Sequence, residues 1–188
     1  MPVRPIQMRQ FVNRRPLLIL LVLFGLAAAI ASILEPPETP FSGHASVVDG
    51  DTLRLGGKRV RLLGIDAPEL DQTCTGADGT PWPCGEAARD KMLELVGGGA
   101  VTCAPQGHDR YGRVLARCLG RATDLGDAMV TAGLAVADGD YFHQEAAASA
   151  AKIGIWTGSF VPPRQWRDSH GSNPAAPGLL ETLKAWFR

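Results

Sequence analysis

Hydrophobic and polar positions follow two different patterns along this chain. Residues 17–34 form an unbroken apolar run in which only Ser32 is polar. From residue 43 onwards, short stretches alternate instead, as at residues 60–62, where valine and leucine flank Arg61. Alternation with a period of two predicts strands with apolar side chains on one face and polar side chains on the other. We therefore expect an apolar amino-terminal segment followed by a domain built on β-strands.

Turn residues and helical periodicity divide this domain into five strands and three helices. The pairs Asp49-Gly50 and Gly56-Gly57 separate three strands within residues 43–65, since glycine adopts positive φ without steric cost. A helix is predicted from Gly85 to about Val96, where three glycines end it. Two further strands are predicted at residues 100–104 and 114–119, and two further helices at residues 125–134 and 144–152. This order is typical of an α+β protein built on a five-stranded Greek-key barrel, the OB-fold.

The amino-terminal segment has the features of a membrane helix that precedes the domain. Residues 1–16 are basic, with four arginines and no acidic residue before Pro16. The 18 residues 17–34 reach the short end of a membrane-spanning length, and the arginines place the first residues in the cytoplasm. Cleavage of a signal peptide near Ala31, followed by secretion, is the alternative. We expect an uncleaved anchor because the apolar run continues to Leu34, and both interpretations place the domain on the periplasmic or extracellular side.

The remaining boundaries follow from changes in composition. Residues 35–42 begin with a proline-rich, acidic stretch and are predicted to be a stiff linker. The domain is predicted to span residues 43–166, and residues 167–188 to form a polar tail. Residues 179–187 have the pattern of a short amphipathic helix, which could pack on the domain or contact the membrane surface.

Charge changes the expectation for the kind of binding surface. The 188-residue chain has a formal net charge of zero. Residues 41–170 carry 13 Lys and Arg against 16 Asp and Glu, a net charge of −3. Domains that bind nucleic acid are usually basic. The balance therefore argues against a long basic groove and for a small site that contacts few phosphates.

The chain has four cysteines, Cys74, Cys84, Cys103 and Cys118. No C-x-x-C pair is present, which argues against a zinc site, and export favours disulfides over four reduced thiols. Three pairings are possible. Cys103 and Cys118 flank a predicted hairpin tip symmetrically, which suits one bridge, and Cys74 with Cys84 across a Pro/Gly-rich loop suits the other. Each would stabilise the fold by about 3 kcal/mol in the loop-entropy model.

Four charged residues stand out in the predicted strand region: Asp51, Arg61, Asp66 and Glu69. A sheet could bring these residues together as a carboxylate cluster beside an arginine. Such a cluster suits a hard divalent cation with oxygen ligands, next to a guanidinium that binds phosphate. The alternative is that each carboxylate only caps a turn or lies in an ordinary loop.

Three motifs, in order, carry a resemblance to a known family. They are VVDGDT at residues 47–52, VRLLGIDAPE at residues 60–69 and DRYGR at residues 109–113. With these motifs, residues 43–158 resemble the thermonuclease (staphylococcal nuclease) family. The resemblance implies an OB-fold and a calcium-dependent endonuclease that hydrolyses DNA and RNA with little sequence preference.

The resemblance also implies a role for each matching residue. Asp51, Asp66 and the main-chain carbonyl of Ala67 would bind Ca²⁺, although relatives can carry threonine at the last position. Glu69 would orient the attacking water or accept its proton. Arg61 and Arg113 would contact the scissile phosphate, and Arg110 and Tyr111 the neighbouring phosphate.

Two regions depart from the family pattern or offer a rival to it. The aromatic residue expected after Leu134 is not evident, because Asp138-Gly139-Asp140 occupies that region before Tyr141-Phe142. The resemblance therefore leaves base stacking without an evident residue. The four histidines have no metal-ligand spacing and are predicted to lie at the surface or in loops; among them only His108 lies beside the DRYGR motif.

Two non-catalytic interpretations remain beside the nuclease. The first is a membrane-tethered OB-fold module that binds nucleic acid or another anionic ligand without cutting it. The second is a tethered interaction domain that uses the carboxy-terminal amphipathic stretch. The joint presence of five charged residues favours the enzyme, namely Asp51, Arg61, Asp66, Glu69 and Arg113. We expect a monomer and no protein partner.

Overall fold

The computed structural model describes residues 15–33 and 39–170, and the chain divides into two units, residues 1–37 and 38–188. The first unit contains helix α1, Arg15–Ile33. Among the described residues, no helix has both the length and the apolar character needed to cross a membrane, so the predicted span at residues 17–34 is not found. Three predicted segments lie wholly or partly outside the described residues. They are the basic terminus up to residue 14, residues 34–38 of the apolar run and linker, and the amphipathic helix at residues 179–187.

The second unit contains ten strands, four α-helices and one 3₁₀ helix within residues 39–170. The strands are β1 Phe41–Val47, β2 Thr52–Leu55, β3 Lys58–Leu62, β4 Ile65–Asp66, β5 Cys74–Thr75, β6 Pro81–Trp82, β7 Ala100–His108, β8 Val114–Gly120, β9 Thr123–Asp124 and β10 Val136–Ala137. The α-helices are α2 Cys84–Val96, α3 Leu125–Thr131, α4 Phe142–Ala150 and α5 Pro163–His170, and the 3₁₀ helix is Gly154–Thr157.

Five of these strands close into a barrel. Strand β1 pairs with β2 and β7, β2 pairs with β3, and β7 pairs with β8, all antiparallel. Strand β3 then pairs in parallel with β8, which closes the sheet. The predicted five-stranded OB-fold barrel in an α+β chain is confirmed.

Alternation along the strands fills the barrel with apolar side chains. In β8, Val114, Ala116 and Cys118 are buried while the residues between them are less so. Strands β2 and β3 contribute Leu53, Leu55, Val60 and Leu62, and helices α2 and α3 add Met92, Val96, Leu125 and Met129. The sequence pattern thus fixes which face of each strand points inward, and the polar residues between them are directed to the outer face of the barrel.

The predicted count of three helices is wrong, because residues 39–170 contain four α-helices. The additional helix, α5, lies partly in the predicted polar tail, which therefore does not begin at residue 167. Pro163 is buried in its first turn, a position that suits a residue without an N–H donor. The helix is polar in composition, so the sequence shows no apolar periodicity that would predict it. Strand β1 also begins at Phe41, within the predicted linker.

Candidate active site

The turn between β1 and β2 buries Asp51. Asp49 Oδ1 accepts a hydrogen bond from the Asp51 N–H (3.0 Å), which holds this tight turn. The Asp51 side chain is buried, and its Oδ2 accepts from the Ala67 N–H at 3.0 Å. The carboxylate of Asp51 is therefore tied to the segment that follows β4.

Arg61 on β3 joins the two aspartates. Its Nη1 donates to Asp51 Oδ1 at 2.6 Å, and its Nη2 donates to Asp66 Oδ1 at 2.7 Å. The register between β2 and β3 pairs Thr52 with Arg61, which sets this side chain beside the Asp51 turn. The sheet thus brings together the carboxylates and the arginine that the sequence predicted to cluster.

The cluster offers carboxylate oxygen atoms, which are the ligands that a hard divalent cation prefers. Two of its carboxylate side chains are buried. Asp51 and Asp66 are only 4% and 3% exposed. Burial raises the pKa of Asp51 to about 6, although the charge of Arg61 opposes this shift. Within residues 15–33 and 39–170, no three His, Cys, Asp or Glu side chains are arranged as a metal centre. The calcium site of two carboxylates and the main-chain carbonyl of Ala67, which the resemblance implies, stays a prediction.

Glu69 lies on the loop after β4, and this loop is held from several sides. The Glu69 N–H donates to Gln72 Oε1 at 3.2 Å, and its carbonyl oxygen accepts from the Gln72 N–H at 2.8 Å. Gly85 packs so closely that a Cβ atom there would overlap the Glu69 carbonyl oxygen. These contacts fix the backbone of Glu69 independently of its side chain.

The β7–β8 hairpin tip carries the second arginine of the predicted pair. Asp109 accepts at Oδ1 from the N–H groups of Tyr111 and Arg113, and its Oδ2 accepts from Arg113 Nε at 2.6 Å. Desolvation alone would raise the pKa of Asp109, but these hydrogen bonds outweigh it and lower the pKa. An ionised Asp109 thus orients the Arg113 guanidinium from one side.

Part of the cluster and of the hairpin tip lines one pocket of about 780 Å³, whereas Asp66 and Ala67 are not among its lining residues. The predicted residues among its lining are Asp51, Arg61, Glu69, Arg110, Tyr111 and Arg113. Tyr111 is 68% exposed, with the guanidinium groups of Arg110 and Arg113 centred 4.8 and 5.8 Å from its ring centroid. The structure therefore places the phosphate-binding candidates of the hairpin tip in the same pocket as Asp51, Arg61 and Glu69.

Several further residues, which the sequence did not predict, line the same pocket. These are Asp49, Arg59, Arg164, Arg167 and Asp168, of which the last three belong to α5. Arg164 and Arg167 are three positions apart, a spacing that puts both on one face of a helix. The sequence signal for this basic face is Pro163, because proline is favoured at the first position of a helix.

The region expected to supply a stacking aromatic has a different role. Tyr141 is buried, and its hydroxyl group is bonded to Asp124 (3.0 Å) and to Arg117 (2.9 Å). Asp140 forms an ion pair with Arg117, while Asp138 lines the pocket and pairs with Arg164 at 3.3 Å. Tyr141 therefore supports the fold, and Tyr111 is the exposed aromatic residue of the pocket.

The histidines do not contribute to this pocket. All four lie within the described residues, and their side chains are exposed, in agreement with the prediction of surface positions. His170 stacks on Trp166 at 4.3 Å on α5, and none of the four is among the pocket-lining residues.

Two disulfides confirm the predicted pairing. Cys74 is bonded to Cys84, and Cys103 to Cys118, with no free cysteine. Cys103 and Cys118 are direct partners in the β7–β8 register, so their bridge crosses the hairpin that carries residues 109–113. The bridge thus restrains the two strands that present Arg113.

We expect loss of the Cys103–Cys118 bridge to lower the activity of each folded molecule on nucleic acid. The strands could then splay, and a misplacement of about 1 Å at Arg113 can cost on the order of a hundredfold. The measurement compares wild type with Cys103→Ser/Cys118→Ser well below both melting temperatures. In an Arg113→Lys background the same double substitution should have little further effect. A lower melting temperature with unchanged activity would show that the bridge is only structural.

Comparison with known proteins agrees with the geometry of the pocket. Residues 59–158 match the family model described as "Staphylococcal nuclease homologue". The chain is 31% identical over 142 residues to the succinoglycan biosynthesis protein ExoI of Rhizobium meliloti, covering 70% of this chain and 74% of that protein. It is also 31% identical over 177 residues to an uncharacterized endonuclease of Haemophilus influenzae, covering 87% and 91%, and 32% identical over 133 residues to one of Escherichia coli, covering 64% and 80%.

Proposed function

The chain belongs to the staphylococcal nuclease family, and from this membership and the pocket we propose a calcium-dependent endonuclease that hydrolyses DNA and RNA with little sequence preference. The observation that carries the proposal is the position of Arg61, which bonds to Asp51 and Asp66 in a pocket shared with Glu69 and Arg113. A phosphodiester bound there would meet arginine forks, buried carboxylates and a carboxylate able to orient water.

The reaction adds water to phosphorus and breaks one P–O ester bond. Arg61 and Arg113 would bind the phosphate oxygens, where negative charge develops in the transition state. Their planar groups can donate paired hydrogen bonds to a phosphate, a geometry that lysine does not reproduce. Glu69 would accept a hydrogen bond from the water and so orient it towards phosphorus. Arg110 and Tyr111 would hold the adjacent phosphate.

Calcium held by Asp51, Asp66 and the Ala67 carbonyl would supply charge neutralisation beside the phosphate. Little sequence preference is expected because the pocket is lined by arginines that can bind the phosphate backbone, and phosphate contacts carry no base information. Tyr111 offers an aromatic face that any base could contact.

The direct test uses the full-length oxidised chain with heat-denatured DNA and with RNA. We expect cleavage in calcium and its loss in excess chelator. Full cleavage in chelator would refute the calcium dependence. Binding of either nucleic acid without cleavage would instead support the OB-fold binding module and refute the enzyme.

We also propose that the domain acts as a monomer in an oxidising compartment outside the cytoplasm. Both cysteine pairs are oxidised, as suits an oxidising compartment. A reporter fused after Arg188 should therefore be active on the outer side of the membrane. Reporter activity confined to the cytoplasm would contradict this localisation.

A further inference from the structure

Arg167 on α5 binds two carboxylates of the cluster at once. Its Nη1 donates to Asp66 Oδ1 at 2.9 Å and to Glu69 Oε1 at 2.8 Å, while its Nη2 donates to Asp66 Oδ2 at 3.0 Å. The guanidinium is therefore a fixed positive charge shared between Asp66 and Glu69.

A second connection ties α5 to the Glu69 loop. Gln72 is 1% exposed, and it accepts from the Glu69 N–H while its Nε2 donates to the carbonyl oxygen of Val161 at 2.7 Å. Val161 lies two residues before α5 begins at Pro163. Glu69 is thus connected to α5 at two points, through Gln72 at its backbone and through Arg167 at its side chain. Separate contacts therefore fix the backbone and the carboxylate of Glu69.

The contact with Arg167 selects one orientation of the Glu69 carboxylate. The Glu69 side chain is 31% exposed. Within residues 39–170, the hydrogen bond to its carboxylate is donated by Arg167 and accepted by Oε1. Oε2 is left to accept a hydrogen bond from water in the pocket. Without Arg167, the flexible glutamate would gain rotamers, and water bound to it would lose its fixed direction.

We propose that Arg167 is a positioning residue of the active site, which fixes the Glu69 carboxylate so that Oε2 faces the attacking water. This inference rests on the proposed nuclease function, and it adds a residue that the three sequence motifs do not contain. It assigns Arg167 the role of positioning Glu69 and not that of binding phosphate.

The test is a double-mutant cycle in the full-length oxidised chain, with kcat and KM measured on heat-denatured DNA at saturating calcium. The variants are Arg167→Gln, Glu69→Gln and the double substitution. Arg89→Gln on α2, which lies outside the pocket, is the charge-matched control. Arg167→Lys tests partial rescue, because an ammonium group can still reach Glu69 but lacks the planar fork. Melting temperatures and calcium affinity by calorimetry are measured for each variant.

We expect Arg167→Gln to lower kcat by about ten- to a hundredfold, with KM changed less than about twofold. Arg167→Lys should recover part of the loss, and Arg89→Gln should match wild type. In the Glu69→Gln background, Arg167→Gln should lower kcat no further, because its effect acts through Glu69.

Each other outcome overturns the inference in a distinct way. An equal loss of kcat in both Glu69 backgrounds would show that Arg167 acts independently of Glu69. A raised KM with kcat retained in Arg167→Gln would indicate that Arg167 contacts phosphate directly. A higher kcat with tighter calcium binding in this variant would show that Arg167 competes with the cation for Asp66 and Glu69. A lower melting temperature with unchanged kcat would make it structural. Absence of cleavage by wild type would refute the proposed function itself.

Discussion

Replacing Arg61 with lysine is expected to lower kcat by about a hundred- to a thousandfold, the range found when one transition-state donor is lost. Arg61 spans Asp51 and Asp66 with separate nitrogen atoms of one planar group, and its side chain is only 15% exposed. A lysine keeps the positive charge between the buried carboxylates, so most of the stability should remain. It cannot reproduce the fork that would bind the phosphate. The measurement is kcat and KM on denatured DNA beside thermal unfolding.

Arg59→Lys is the matched control for this substitution. Arg59 lies on the same strand, β3, and lines the same pocket, but it is exposed. It is opposite Arg54 in the register, whereas Arg61 is the β3 arginine that bonds to Asp51 and Asp66. A change of at most a few-fold is expected there. If Arg61→Lys and Arg59→Lys have equal and small effects on kcat, the role assigned to Arg61 is wrong.

Asp51→Asn is expected to remove most activity at ordinary calcium concentrations, by on the order of a hundredfold or more. Asp51 would supply one of the two carboxylates to the cation and is an acceptor for Arg61. An asparagine can keep one oxygen for the Ala67 N–H, but its amide group then faces the Arg61 donor. The fold should remain, with a change in unfolding free energy of about 1 kcal/mol. Calcium affinity by calorimetry and cleavage rate are both measured.

Asp49→Asn removes the same charge from the same turn and serves as its control. The Asp49 oxygen accepts from the Asp51 N–H, which an asparagine oxygen can also do. We expect this variant to keep most of its activity and its calcium affinity. Unchanged calcium affinity in Asp51→Asn would refute the predicted cation site, and unfolding of that variant would instead show a structural role.

The distribution of charge explains how an acidic domain can present a pocket rich in arginines. Residues 41–170 have a net charge of −3, yet six of the twelve pocket-lining residues are arginines. They come from β3, the hairpin tip and α5, so no run of basic residues marks them in the sequence. Net charge describes the long-range field of the domain, whereas a bound phosphate responds to the charges within a few ångströms.

Local sequence patterns predicted the barrel and most of the cluster correctly. Alternation at residues 60–62 and the two glycine-containing turns specify β2 and β3, and this hairpin alone sets Arg61 beside Asp51. The symmetrical placement of Cys103 and Cys118 around the hairpin tip predicted their bridge. These features depend on neighbours close in sequence, where periodicity and turn chemistry determine the backbone.

Only the tertiary structure revealed the contributions of α5 and Gln72. Arg167 is 101 positions from Asp66, and Gln72 is 89 positions from Val161. The polar composition of α5 predicted a solvated tail, and a buried glutamine has no periodic signal of its own. Their places are decided by hydrogen bonds and ion pairs between distant segments, which form once the barrel has closed. The sequence by itself therefore determined the barrel and its motif residues, whereas packing of α5 against that barrel decided what holds Glu69.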